Sequence, residues 1–195
     1  MTAPTPTLHA WVDESIHDEA AGGFYVLAAT VADEAGCELI RERLQALLRR
    51  GGDRLHWVAE PAHRRTEIAQ KVALLDLAHV IVVGAPLMNV KTERARRQIM
   101  ERLMYELVAR DVERVWIESR TNRENSRDLH MVDALRSKKV VPADFRVDHA
   151  RPSTDPMLWL PDIVAGAVRA HRMETDSVPY SSLRETITEV AVELR

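Results

Sequence analysis

The chain has 195 residues, of which 46% are hydrophobic and 29% charged, and its formal net charge is -3 at pH 7. This length and composition predict one globular domain over residues 1–195, large enough to bury a core without disulfides or structural metals. The net negative charge argues against a protein that coats nucleic acid, although it allows an enzyme with a local basic groove.

The cysteine content and the N-terminal sequence bear on the cellular compartment. A single cysteine, Cys37, excludes an internal disulfide and fits a reducing compartment. Residues 1–10 lack the basic and apolar regions of a signal peptide. No apolar stretch approaches the roughly 20 residues that are needed to cross a bilayer. We therefore expect a cytoplasmic protein without a membrane partner.

The predicted elements alternate between strands and helices after an opening hairpin. The hairpin joins strands at residues 7–13 and 24–32 through a polar turn at 18–23. We expect Ser15 and His17 in the turn region after Asp13, with His17 exposed. Further strands are predicted at 79–87, 112–119 and 145–149. Helices are predicted at 33–50, 61–78, 91–110, 125–139, 156–172 and 181–194. This order predicts an α/β fold with a mixed sheet covered by helices.

Two of the predicted strands carry the same pattern, a tryptophan followed two residues later by an acid. The pairs are Trp11 with Asp13, and Trp116 with Glu118. Because side chains alternate along a strand, each pair shares one face. If the strands are parallel neighbours, the two acids lie side by side at the carboxyl edge, where open α/β sheets bind ligands. Nearby carboxylates repel unless a cation lies between them, and oxygen ligands suit Mg²⁺ or Mn²⁺. The alternative is that each acid marks a solvated strand end.

A third acid, Asp162, follows Pro161 at the predicted start of a helix. The helix dipole alone favours an acid there by about 0.3–1 kcal/mol, so capping is one explanation. The surrounding sequence, "LWLPDIVAGAV", is otherwise apolar, and an unpaired buried charge is costly. We therefore predict a partner for Asp162. Gly166, one turn later, would let another backbone approach.

Several basic and polar residues near these acids are candidates to contact a phosphate. His56 could donate to a phosphate or ligate a metal, or it could be a half-buried structural histidine. Arg64 belongs to a basic cluster that opens a helix, and Arg120 should continue the face of Glu118 to the sheet edge. Arginine is the usual partner of phosphate, although charged helix faces are often only solvated. Ser15 could contact the phosphate, or it could be a turn serine whose hydroxyl bonds only the backbone.

The stretches "WVDES", "LHW", "ERARR", "ESR", "VDH" and "PMLWLPDIVAGAV" occur in this order along the chain. Together they resemble a large bacterial family described as a domain of unknown function, and the Trp-rich actinobacterial members most of all. The resemblance covers residues 8–171 approximately and implies a ribonuclease H-like fold, with an antiparallel hairpin followed by parallel strands. In such enzymes, carboxylates on the first strand, a later strand and a final helix bind divalent metal. The resemblance thus implies these roles for Asp13, Glu118 and Asp162.

The function that the resemblance implies is a metal-dependent phosphodiesterase, specifically a nuclease with Mg²⁺ or Mn²⁺, and nucleic acid is the expected partner. Glu14 would be an auxiliary ligand or proton acceptor. The residues expected on the phosphate side are Ser15, His56, Arg64 and Arg120. Two alternatives stay open: a binding module that has lost catalysis, and a hydrolase of a small nucleotide-like substrate. Aromatic residues are scarce, at 5%, which argues against a base-stacking platform. The sequence does not indicate an oligomeric state.

Overall fold

The computed structural model describes residues 6–19, 22–75, 77–88 and 90–195 of the chain. Within these ranges the strands are β1 (Leu8–His17), β2 (Phe24–Asp33), β3 (Ala78–Ala85), β4 (Val112–Glu118), β5 (Arg146–Ala150) and β6 (Ile187–Glu193). The α-helices are α1 (Cys37–Gln45), α2 (Ala62–Ala73), α3 (Thr92–Val108), α4 (Asn122–Ser137), α5 (Trp159–Arg172) and α6 (Val178–Leu183). Short 3-10 turns lie at Glu34–Gly36, Trp57–Ala59, Pro156–Leu158 and Arg184–Thr186. The predictions for residues 1–5, for 20–21 in the first turn and for residue 76 lie outside the described ranges.

The six strands form one sheet in the order β5-β4-β1-β2-β3-β6. β2 pairs antiparallel with both β1 and β3, whereas β1 with β4, β4 with β5, and β3 with β6 are parallel pairs. The prediction of an α/β fold with an antiparallel hairpin and later parallel strands is therefore confirmed. Every strand except β2 runs in the same direction. We call the end of the sheet toward which these five strands run the carboxyl edge.

Helices cover both faces of the sheet, and each face has its own apolar core. The core under α3 and α4 includes Ile99, Leu103, Leu107, Val132 and Leu135. The core under α1, α2 and α5 includes Leu44, Ile68, Val72, Ile163 and Val164. The alternation along β1 assigns Ala10 and Val12 to the first core and Trp11 to the second. Asp13 therefore faces the α5 side of the sheet, and Glu14 faces the α3 side.

The prediction of a terminal helix over residues 181–194 is wrong. The segment Ile187–Glu193 forms β6, which pairs in parallel with β3. Its apolar residues fit the period of a helix as well as that of a strand. Val190 and Leu194 are four residues apart, as on one helix face, while Val190, Val192 and Leu194 alternate, as on one strand face. The strand prevails because the backbone of β3 would otherwise lack ladder partners on its outer side. Leu194 then belongs to the core under α3, and Val190 and Val192 pack against it.

The first strand is longer than predicted. β1 continues past Asp13 to His17, because β2 provides an antiparallel partner along its whole length. Ser15 is therefore a strand residue and not a turn residue, which corrects the expectation for its position. The expectation that His17 is exposed is also wrong, since its side chain is 14% exposed, pairs with Glu19 and packs on the ring of Phe24.

The remaining predicted elements are present with changed bounds. The predicted helix at 33–50 is a 3-10 turn followed by α1, and residues 46–56 form turns and irregular backbone before the 3-10 turn at Trp57–Ala59. This irregular stretch reaches the carboxyl edge and supplies side chains to the candidate site described below. Of the residues that the structure describes, none belongs to a helix long and apolar enough to span a bilayer.

Candidate functional site

The two Trp-x-acid strands are neighbours, and their register aligns the two acids. Trp11 pairs with Trp116 in the parallel ladder of β1 and β4. Two residues further along each strand, Asp13 and Glu118 line the same cavity, and the charge of Glu118 raises the pKa of Asp13. The sequence hypothesis required this parallel pairing, and the structure confirms it. The side chains meet at the carboxyl edge on the α5 face of the sheet.

The third acid comes from α5, which packs against β1 and β2. Asp162 lies in the first turn of this helix, where Pro161 is tolerated because the backbone N–H it lacks would have no partner within the helix. The carboxylate does not cap its own helix. Its Oδ2 atom instead accepts hydrogen bonds from the backbone N–H of Trp57, at 2.8 Å, and from Nδ1 of His56, at 3.1 Å. The predicted partner of Asp162 is therefore the segment around His56.

The position of this segment depends on Gly166. A Cβ atom at Gly166 would lie 2.3 Å from the buried indole ring of Trp57. The sequence predicted that another backbone approaches this glycine, and the structure corrects this to a side chain. Arg65 also holds Trp57, because its Nε donates to the Trp57 carbonyl at 2.9 Å. Together these contacts fix His56 beside Asp162.

Burial and neighbouring groups perturb the titration of the paired acids. The pKa of Asp13 is raised well above its usual range, first by burial and then by the charges of Glu118 and Asp162. The pKa of Glu118 is raised by burial and by the charge of Asp162, while its interactions with Asp13, Arg54 and His56 act against this. In the absence of another positive charge, the pair therefore tends to retain a proton.

A cavity of about 190 Å³ opens at this cluster. Its lining residues are Asp13, Glu14, Arg54, Leu55, His56, Glu118, Pro152, Leu158, Trp159 and Asp162. The lining thus contains four acids, Asp13 and Glu14 from β1, Glu118 from β4 and Asp162 from α5, and two nitrogen donors, Arg54 and His56, from one loop. The sequence did not identify Arg54 as a site residue. Its only local signal is that it is a basic residue two positions before His56.

The cavity contains carboxylate oxygens that could ligate a divalent cation. Within the described residues, hydrogen bonds from N–H donors reach Oδ1 of Asp13 and Oδ2 of Asp162. The second oxygen of each carboxylate and both oxygens of Glu118 receive no such bond from that part of the chain. Oxygen ligands of this kind suit Mg²⁺ and Mn²⁺. Across the described residues, however, no group of three or more acidic, His or Cys side chains already has the geometry of a metal site.

Glu14 is engaged on the opposite side of β1. Its Oε2 atom pairs with Arg96 and accepts a hydrogen bond from the hydroxyl of Tyr25. Arg96 is 3% exposed and also donates to both oxygens of Asp128, at 2.8 and 3.3 Å. Burial raises the pKa of Asp128, but hydrogen bonds from His149 and Arg96 outweigh this and lower it to about 2. The charge of Glu14 is thus neutralised by a buried network.

Three of the four residues expected on the phosphate side lie outside the cavity. Arg120 pairs with Glu93, at 2.8 Å, and with Asp128, because β4 ends at Glu118 and the chain turns into α4. Together with Asp13 and Glu118 it lines a separate, smaller cavity of about 90 Å³. Arg64 bonds its neighbours on α2 and the carbonyl of Leu47. Ser15 does not line the cavity either. Of the predicted set, only His56 does.

Comparisons with known proteins add no relative. No match to this chain was found among protein-family models, curated proteins or solved structures.

Proposed function

We propose that the protein is a metal-dependent phosphodiesterase, specifically a nuclease, on a ribonuclease H-like fold. Asp13, Glu118 and Asp162 would hold Mg²⁺ or Mn²⁺. The observation that carries the proposal is that Asp13, Glu118 and Asp162 line one cavity, with Asp162 close enough to raise the pKa of the other two. The three acids come from the first strand, a later strand and a late helix, as the resemblance implies.

The electrostatics of the cluster favour a bound cation. Two acids that are buried together oppose each other's ionisation, and a divalent ion between them would remove this penalty. When bound, such an ion supplies activation of the attacking water and stabilisation of the charge that develops on the leaving oxygen. The chain provides the oxygen ligands, while Arg96 and Tyr25 keep Glu14 directed away from Asp13. We therefore assign Glu14 a positioning role in place of direct ligation.

The side of the cavity that is lined by Arg54 and His56 suits a phosphate group. Nδ1 of His56 is held by Asp162, which leaves Nε2 of this partly exposed ring available to a phosphate or leaving-group oxygen. Arg54 faces the same acids and adds a planar set of donors that matches phosphate. These two residues would orient the substrate, and the acids would hold the cation.

The size of the cavity favours a polymer over a small nucleotide as the substrate. Pockets that enclose a whole small ligand measure roughly 300–1,000 Å³, whereas this cavity measures about 190 Å³. It therefore accommodates a phosphodiester group whose flanking nucleotides lie outside. The small-nucleotide hydrolase and the non-catalytic binding module remain as the alternatives to be tested.

Cleavage of labelled single-stranded RNA and DNA with Mn²⁺ or Mg²⁺ tests the proposal. We expect Asp13→Asn and Glu118→Gln to lower the cleavage rate by at least about 100-fold, since even residues that only support metal ligands contribute 10–100-fold. Glu113→Gln removes an exposed acid from the same strand as Glu118 and serves as the control. Equal cleavage by wild type, Asp13→Asn and Glu118→Gln would disprove the assignment. Cleavage of mononucleotides alone would favour the small-substrate alternative.

Metal titration separates the enzyme from a non-catalytic module. Isothermal titration with Mn²⁺ should show binding to wild type and its loss in Asp162→Asn. If the wild-type protein binds no divalent cation, the non-catalytic module becomes the better explanation.

A further inference from the structure

A second, larger concavity lies on the opposite face of the sheet, between α3 and α4. Its volume is about 500 Å³. Exposed arginines line it from both helices: Arg94 and Arg97 from α3, and Arg127 from α4. We call this concavity, defined by these three residues, the arginine groove. Met100 and Met131 form part of its lining.

The positive charge of the arginine groove is largely uncompensated. Two acids also line it, but Glu93 pairs with Arg120 at 2.8 Å, and Asp128 is bonded to Arg96. The nearest approach of Glu93 to Arg127 is a long 3.9 Å. Among the described residues, Arg94 and Arg97 form no ion pair with a carboxylate. A net positive groove on a chain of net charge -3 indicates an anionic ligand.

The groove starts at the edge of the sheet that carries the acidic cluster. α3 follows β3 and α4 follows β4, and both strands run toward the carboxyl edge, so both helices begin there. Arg96 lines the groove and also a small cavity of about 90 Å³ that contacts Asp13 and Glu118. Arg96 itself is buried, so the groove and the acids lie on either side of this side chain at the sheet edge.

The chemistry of the lining specifies which part of a nucleic acid it fits. Arginine forks match phosphate oxygens, and they neutralise backbone charge without reading bases. Base-binding single-strand platforms use aromatic side chains, and the lining of this groove contains methionines but no Phe, Tyr or Trp among the described residues. The lining thus suits a phosphodiester backbone without preference for base sequence.

We propose that the arginine groove binds the phosphate backbone of a single polynucleotide strand, a few nucleotides away from the phosphate that lies at the acidic cluster. The role in cleavage rests on the proposed nuclease function, whereas binding itself does not. This assigns Arg94, Arg97 and Arg127 to substrate positioning and commits the protein to a polymeric substrate.

Equilibrium binding tests this inference without requiring cleavage. Fluorescence anisotropy of fluorescein-labelled single-stranded RNA and DNA would be measured with EDTA over a series of KCl concentrations. Each neutralised phosphate of a single strand contributes a slope of about 0.7 to the plot of log K against log salt. The triple variant Arg94→Gln/Arg97→Gln/Arg127→Gln should lower the slope by about 2 and weaken binding at low salt by about tenfold or more. The corresponding triple lysine variant should keep most of the slope.

A matched control removes the same number of charges elsewhere. Arg43→Gln/Arg146→Gln/Arg184→Gln changes three exposed arginines outside the groove and should leave the slope within about 0.5 of wild type. An unchanged slope in the groove variant, or an equal loss in the control, would overturn the inference. If wild type fails to cleave but its binding depends on the groove, the nuclease proposal fails and this inference stands. If wild type cleaves but its binding does not depend on the groove, this inference fails and the nuclease proposal stands.

Discussion

Trp11 and Trp116 occupy paired positions on the parallel strands β1 and β4, and this register places Asp13 and Glu118, two residues later, in the lining of one cavity. Parallel strands in this register advance together, so an equal step along each strand reaches the same level of the sheet. The acidic pair is thus a consequence of the pairing of the two tryptophans. It costs stability in the absence of a cation, and this cost has measurable consequences.

Asp13→Asn should stabilise the metal-free protein. The pKa of Asp13 in the folded state is raised, so the folded state binds the proton more tightly than the unfolded state. Its stabilising contribution is present at acid pH and is lost as the pH rises through the raised pKa. At neutral pH in EDTA we expect a gain of about 0.5–2 kcal/mol in the free energy of unfolding, measured by urea denaturation. Glu113→Gln should change it little, and a destabilised Asp13→Asn protein would contradict the prediction.

Divalent cations should stabilise the wild-type protein but not the acid variants. An ion that binds the folded state alone adds about 2.7 kcal/mol at a concentration of 100 times its Kd. Thermal unfolding with and without Mn²⁺ should therefore show an increase in Tm for wild type. Asp13→Asn and Asp162→Asn should show a much smaller increase. The same increase in all three proteins would place the bound ion elsewhere.

Gly166→Ala should disturb the support of the site. The new methyl group would meet the Trp57 ring at 2.3 Å, so this buried ring must move, and we expect a loss of about 1–3 kcal/mol in stability. Because the Trp57 N–H and His56 both bond Asp162, the cleavage rate should fall as well. Gly36→Ala is the control, since a Cβ atom there meets nothing within 4 Å. Equal stability of the two variants would show that Trp57 does not limit the space at Gly166.

Arg96→Met should be strongly destabilising. The change leaves Glu14 and Asp128 without the buried cation that pairs with both. Breaking a buried ion pair by removing one partner costs about 3–5 kcal/mol. Arg102→Met removes an exposed arginine of the same helix from its pair with Glu106 and should cost less than about 1 kcal/mol. Urea denaturation of both variants checks the difference, and similar losses would contradict the assigned burial of the network.

His79 should make the protein sensitive to acid. This histidine is buried on β3, bonded to the hydroxyl of Thr30, and burial lowers its pKa to about 4. The unfolded chain, with a pKa of about 6.5, binds a proton first. Stability is therefore full above that value and is lost as the pH falls from about 6.5 to 4, by up to about 3 kcal/mol. The pH profile of His79→Gln should lack this component, and parallel profiles of the two proteins would refute the prediction.

Local sequence patterns predicted much of the fold and the acidic pair, Asp13 and Glu118. Most strands and helices could be predicted from short stretches of sequence, because the spacing of apolar residues reflects which face of the element is buried. The repeated Trp-x-acid pattern identified Asp13 and Glu118 for the same reason, and the apolar surroundings of Asp162 predicted that it has a partner. Each of these inferences needed only the neighbouring residues in the chain and the rule that side chains alternate along a strand.

Other features depended on contacts between distant segments. The period of residues 187–193 fits a helix or a strand, and only the free side of β3 selects the strand. Arg120 follows Glu118 in sequence, but alternation ends with the strand, and its side chain pairs with Glu93. Arg54 reaches the acids through an irregular loop, whose path depends on packing. The sequence by itself therefore determined the first five strands and the paired acids Asp13 and Glu118, but not β6. Only the tertiary structure decided which distant basic residues meet those acids, because side chains far apart in sequence are brought together by the fold and not by local periodicity.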